Sequence, residues 1–379
     1  MARTHSLPIT RRRLLAGTLA SSALLGTSAV PLSIARAATG RRKFVFVIQR
    51  GAADGLAIVQ PHGDRNLRDL RGALVDDDAL RLDGFFALHP ALAGTAGLFH
   101  SGEARAWHAV ATNYRERSHF EAQNVLETGG ERAYAVNTGW LGRMMPLLPE
   151  GTGAMAVSAT APMALRGSVP VATYTPNRLP DPNEDLLARL AIMYAEDAQL
   201  GPMWDEAMRT RMVTGGLGNT AAGGGADLGQ LAATLLAGEG GADVLMIETG
   251  GWDTHRAQQR ALAGQLSAMD SLLVALRQGL GAAWADTLVL VATEFGRTAA
   301  INGTMGTDHG TASAALLLGG SLPAGEMVES DWPGLSRNQL YDGRDLRPTG
   351  DLLSMATRAF AAHFGLERDR ALAALSAGQ

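Results

Sequence analysis

The sequence predicts an α/β fold, one domain built around a mostly parallel sheet, and three observations carry that expectation. Apolar runs at 44–48, 243–247 and 287–293 have the composition of strands buried on both faces. Stretches between them show apolar residues at helical spacing, most clearly Leu262, Leu266, Met269, Leu273 and Leu276. Each run stops in glycines and polar residues, as strands do where the carboxyl edge of a sheet holds a ligand. Alternation of this kind, without an internal repeat or a linker, reads as a single domain over 38–379.

What precedes it reads as an address. Thr10, Arg11, Arg12, Arg13, Leu14 and Leu15 form a twin-arginine pattern, followed by an Ala/Leu/Ser-rich stretch and the small-residue site Ala35, Arg36, Ala37. Residues 1–37 are therefore expected to be a twin-arginine signal, recognised by the twin-arginine translocase and removed after Ala37. A lasting membrane anchor is the alternative, but the apolar stretch is short and interrupted by Pro31. The mature protein is expected to be periplasmic or secreted, with no stable anchor. The whole chain of 379 residues carries a net charge of −4 with both signs mixed, which argues against nucleic acid as a partner. With no cysteine, disulfides, thiolate nucleophiles and Cys-ligated metals are excluded.

In chain order, the 44–48 strand ends in Arg50, Gly51, Ala52, Ala53, Asp54 and Gly55. Asp54 reads equally well as an Asp-Gly turn and as a functional carboxylate on the sheet rim. Residues 64–82 are charged and look like a surface excursion; a short helix ending near His100 and a strand at 104–110 follow. His89 and His108 read as packing residues, as does His363 in a helix at 351–364. Ser118 and His119 open a helical run, where Ser118 reads as its cap, as a nucleophile beside amides able to hold an anion, or as both. A further helix is expected from Trp140, short strands and turns over 151–182, one helix over 183–212, a mobile glycine-rich loop over 214–225 and a helix over 227–236.

Two strand ends concentrate the chemistry. The 243–247 strand runs into Glu248, Gly250, Gly251, Trp252, Asp253 and His255. The 287–293 strand runs into Glu294 and Arg297, and a glycine-rich loop then brings Asp308 and His309 ahead of another apolar run at 314–318. Carboxylates and imidazoles at two strand ends are the ligand types that divalent transition metals prefer. Any one of these carboxylates alone reads better as a helix cap or the partner of an arginine; together they read as a site.

The stretches RGAADGL, RSHFEAQ with its following ETG, GWLGR, GWDTH, TEFGRT with Asn302 and Gly303, and GTDHG resemble, in order, the family called domain of unknown function 1501. That family is placed with the alkaline phosphatase-like superfamily. The resemblance implies a three-layer α/β/α fold and one or two divalent metals, zinc or manganese, at the carboxyl edge of the sheet. It makes Asp54, Asp253, His255 and His309 metal ligands and Ser118 the nucleophile. Glu294 and Phe295 stand where phosphatases and sulfatases carry Asp-His, so one metal position is altered and Asp308 is a candidate replacement ligand. Phe295 is expected to be a buried packing residue. Arg50, His119 and Arg297 are candidates to hold an anionic group. The function expected is a metal-dependent hydrolase of phosphate or sulfate esters, with a small anionic ester as substrate. The alternative is a catalytically degenerate protein that binds an envelope ligand.

Overall fold

The structure is a computed structural model and describes residues 41–175, 182–214, 223–238 and 240–377. The twin-arginine segment and residues 215–222 of the glycine-rich stretch lie outside the described residues.

Lys43–Gln49 (β1) is buried along its whole length and sits in the middle of the main sheet. Successive side chains of a strand point to opposite faces, and here each face meets its own apolar layer. Val45 and Val47 pack with Leu262, Leu266 and Leu276, whereas Phe44, Phe46 and Ile48 pack with Trp140 and Phe360. Six more strands follow: Ala104–Ala111 (β2), Ala154–Val157 (β3), Val171–Tyr174 (β4), Val244–Thr249 (β5), Thr287–Thr293 (β6) and Ser313–Gly319 (β7). Their order is β2-β7-β6-β1-β5-β3-β4, with the two-residue strands Val328–Glu329 and Gly350–Asp351 pairing with β2. Pairing is parallel throughout except at β7, which runs antiparallel to both β6 and β2.

Helices cover both faces and complete three layers. Ala93–His100 (α1), Gly225–Ala237 (α3) and Gln258–Leu280 (α4) bury Phe99, Leu235 and Leu273 on one side, and Leu352–Phe364 (α5) buries Phe360 on the other. His119–Thr128 (α2) lies at the carboxyl edge of the sheet. Register sets up the site: Gln49 stands opposite Thr249 on one side and Thr293 on the other. The polar stretches that follow β1, β5 and β6 therefore leave the sheet at one level.

Two expectations give way. The 183–212 stretch is two helices, Glu184–Tyr194 and Leu200–Thr214, because the Asp197 carboxylate accepts from the N–H groups of Gln199 and Leu200, both at 2.8 Å, and starts a new helix there. The 64–82 stretch is only partly a surface excursion. It holds the helix Leu67–Arg71 and the strand Leu80–Arg81, and Arg71 is only 1% exposed.

The packing histidines carry a pH prediction. His108 Nε2–H donates to the Val59 carbonyl at 2.9 Å, and His363 Nε2–H donates to that of Lys43 at 2.9 Å. Burial pushes each pKa down to about 4 from an ordinary 6.5. Both folded-state values are depressed, so the unfolded chain binds more protons between pH 6.5 and 4, and stability falls as pH falls through that window. Each histidine accounts for about 3 kcal/mol by its lower end. Urea unfolding at pH 7 and pH 4.5 should show the loss. His363→Gln, which keeps a donor for Lys43, should flatten the profile, and an unchanged profile would exclude His363 as a source of the slope.

Candidate metal centre

Four backbone segments converge at the carboxyl edge: the turn after β1, the loop after β5, the loop from Glu294 to His309, and the start of α2. The first two meet closely at Gly51, whose φ is 120°; a Cβ there would lie 2.7 Å from the Asp253 nitrogen. A side chain at 51 would wedge these loops apart. The third segment folds back so that Arg297 and His309 form an antiparallel bridge. The first residue of α2 is His119.

On this frame His119, His255 and His309 present the same atom inward. His309 Nε2 lies 3.0 Å from His119 Nε2 and 2.9 Å from His255 Nε2. Asp253 closes the group, with Oδ1 2.9 Å from His255 Nε2 and 3.3 Å from His309 Nε2, and Oδ2 3.5 Å from His119 Nε2. The outer ring nitrogens are held by acceptors. Nδ1 of His119 meets Glu294 at 2.8 Å, Nδ1 of His255 meets Asp308 at 3.2 Å, and Nδ1 of His309 meets the Arg117 carbonyl at 3.0 Å. Carbonyls and ionised carboxylates only accept, so each Nδ1 carries the proton and, in a neutral ring, Nε2 offers a lone pair. Three lone pairs and a carboxylate facing one another at these distances repel unless a cation lies among them.

The donor set fits a metal ion. Two donors about 2.0–2.1 Å from a tetrahedral zinc stand about 3.3 Å apart, close to the 2.9–3.5 Å separations here. Donor atoms of His119, Asp253 and His309 all lie within 4.8 Å of one another. Acceptors behind each imidazole fix its ring and its tautomer, as the outer partners of metal-bound histidines do.

Electrostatics reinforce the arrangement. Burial pushes the Glu294 carboxyl up, but bonds from His119, from Gln123 Nε2 at 3.0 Å and from the Gly51 N–H at 2.9 Å prevail and hold it below the usual range. Glu294 in turn raises the His119 pKa, while burial and the proximity of His119 lower that of His309. Burial also opposes ionisation of Asp253, yet Arg297, donating to it at 2.6 Å, keeps its pKa low. Asn302 donates to Asp308 at 3.0 Å and favours its charged form.

Of the residues singled out in the sequence, Asp253, His255, His309, Glu294, Asp308 and His119 come together, the last three in different positions from those expected. Glu294 and Asp308, expected as ligands, stand behind His119 and His255 because their carboxylates reach Nδ1. His119, expected to hold an anion, turns Nε2 into the donor cluster. Arg297 was also expected to hold the anion, but its side chain is fully buried, with Nη1 on Asp253 and Nε on Thr307 Oγ1 at 3.1 Å. Arg50 is engaged by Glu127 at 2.9 Å and Glu248 at 2.7 Å. Asp54 lies apart from the donor cluster, buried against the Arg71 guanidinium and Gln258 Nε2. Ser118 stands at the N-terminus of α2 with extended backbone, and its hydroxyl makes no capping bond. Phe295 is buried, 3% exposed, and stacks on His119 at 5.0 Å.

Arg71 and Gln258 were missed. Gln258 connects the parts: its amide nitrogen donates to Asp54, and its Oε1 accepts from Thr254 at 3.0 Å and Thr307 at 2.6 Å. A polar residue opening an apolar-striped helix was the only available signal.

Among the described residues no helix is long and apolar enough to cross a membrane. Sequence comparison with curated proteins gives no match. Solved structures similar to this chain include Ps i-CgsB in complex with k-i-k-neocarrahexaose, at 11% identity and a TM-score of 0.46 over 86% of this chain and 73% of that one. A Vibrio parahaemolyticus protein in the alkaline phosphatase superfamily matches at 12% identity and a TM-score of 0.36, over 77% and 62%. The C-terminal periplasmic domain of EcEptC from Escherichia coli, in complex with Zn, matches at 10% identity and 0.33, over 74% of each chain. The profile of one family, described as Protein of unknown function (DUF1501), matches residues 106–368, which hold every residue of the donor cluster, and the chain belongs to that family.

Proposed function

We propose that this protein is a metal-dependent hydrolase of phosphate or sulfate esters, exported to the periplasm or beyond by the twin-arginine route. The observation that supports it is the convergence of three Nε2 atoms and Asp253 beside a serine at a helix N-terminus. His119, His255, His309 and Asp253 would hold one ion, with imidazole-rich ligation favouring zinc over manganese, and such an ion would supply Lewis-acid polarisation of an ester oxygen. Ser118 is the nucleophile in this reading. The first N–H groups of α2 have no intrahelical acceptors and are available to an anionic oxygen. Glu294, Asp308 and the Arg117 carbonyl keep the imidazoles in the Nδ1–H form. Arg297 holds Asp253 charged and in place. Phe295 fills the space where a second ion would otherwise be accommodated.

A second reading, a catalytically degenerate protein that binds an envelope ligand without turnover, is favoured by the engagement of Arg50 and Arg297 with carboxylates of the chain, which withdraws both from holding an ester anion. Assays of the mature, zinc-loaded protein on p-nitrophenyl phosphate and p-nitrophenyl sulfate separate the two. Turnover of either ester that falls about 10³-fold or more in Ser118→Ala is expected of a hydrolase. Zinc-loaded protein with no turnover leaves the binding reading.

A further inference from the structure

Large apolar side chains exposed to solvent fall in two places among the described residues. Leu186, Ile192, Met193, Leu200 and Met203 lie on the helices Glu184–Tyr194 and Leu200–Thr214, while Phe120, Tyr134 and Met305 belong to or contact segments that carry residues of the donor cluster or lead from them. Phe120 is 80% exposed and follows His119 directly in the first turn of α2. Tyr134 is 63% exposed, and its backbone N–H donates to Asn124 Oδ1 at 2.7 Å. Asn124 lies four residues after Phe120 on α2, on the same helix face and about 6 Å further along. Phe120 and Tyr134 are therefore along one flank of α2. Met305 belongs to the loop beside His255, where its carbonyl accepts from the Gln258 N–H at 2.9 Å.

Packing within the chain does not account for Phe120. Its neighbours on α2 are buried at Ala122, Val125 and Leu126, so the fold had apolar surface to cover and left this ring out. An exposed phenyl beside a polar centre gains when a flat apolar face covers it, and aromatic and sugar rings both offer such a face.

We propose that Phe120, with Tyr134 along the same flank, is a specificity-determining platform, and that the ester group is carried on a ring. This rests on the anionic-ester reading of the site and adds the class of group to which the ester is attached. Phenyl sulfate and glucose 6-sulfate represent the two sources of a ring, and methyl sulfate lacks one.

Calorimetric titration of the zinc-loaded mature protein with the three probes tests the platform separately from turnover. The wild type should bind one of the ring-bearing sulfates about five- to tenfold more tightly than methyl sulfate. Which ring is preferred tells aryl from sugar. In Phe120→Ala the preference should collapse toward one, whereas Ile192→Ala, which removes an equally exposed side chain remote from His119 in sequence, should keep it. Equal affinity for ring-bearing and methyl sulfates, no measurable binding of any probe, or a preference that survives Phe120→Ala would overturn the proposal. Ring preference without turnover would instead count against hydrolysis and leave the platform standing.

Discussion

Elemental analysis of the mature protein should find about one equivalent of a divalent metal, and His309→Ala should bring that figure close to zero. His309 Nε2 contacts both other imidazoles and Asp253, so its removal takes away a donor that touches each of the other three. Metal bound to the folded state alone stabilises it by about 4 kcal/mol at a free concentration 1,000 times Kd. For a chain of this size that corresponds to about 6 °C in Tm, and wild-type protein should lose it on treatment with a chelator. The variant should have the lower Tm from the outset and show no response to chelation. Glu294→Gln serves as a graded comparison: it can still meet His119 but brings no charge, and affinity should fall about 10- to 100-fold with stoichiometry kept. Wild-type protein without metal, melting at one temperature with zinc, manganese or chelator, would remove the metal reading.

Arg71→Met should be among the most damaging single substitutions outside the donor cluster, costing about 3–5 kcal/mol in chemical denaturation. Both partners of the Asp54–Arg71 pair are 1% exposed, and methionine would leave the Asp54 charge buried without its cation. The guanidinium also donates to the Ala299 carbonyl at 2.8 Å and the Thr298 carbonyl at 2.7 Å, which hold the loop leading to Asp308 and His309. Metal affinity should therefore weaken together with stability. Adding Asp54→Asn to Arg71→Met should recover part of the loss by removing the stranded charge. A cost below about 1 kcal/mol for the single variant would mean that water reaches Asp54 and that the pair is not buried in solution.

The strands were legible because β1, β5 and β6 are apolar along nearly their whole length, and burial on both faces of a sheet requires that. The antiparallel strand of the main sheet, β7, was legible as an apolar run but not in its direction, which depends on how the loop carrying Asp308 and His309 returns. In the site, residue types could be read and depth could not. Nothing local says that Glu294 and Asp308 reach the outer nitrogen of a histidine, because that follows from side-chain length and from the angle between two loops. His119 stands beside Ser118 in sequence, a pairing that points to hydroxyl chemistry and hides an imidazole turned toward residues about 135–190 positions away. Arg71 was lost for a more general reason: an arginine among aspartates at 64–82 looks the same whether its partner is solvent or a buried carboxylate.

The Arg117 backbone is left-handed, with φ of 60°, and its carbonyl meets His309. The same conformation occurs at Ala52 in the turn after β1, at Ala257 just before α4 and at Met305. A side chain in that region is strained by roughly 1–3 kcal/mol, so these four positions together hold a sizeable fraction of what a folded chain has to spare. Most glycines of the sequence lie elsewhere, and the strain is retained where glycine would relieve it. The loops around the histidines are thus a metastable district set in a stable sheet, and selection for robustness alone would be expected to erode them first.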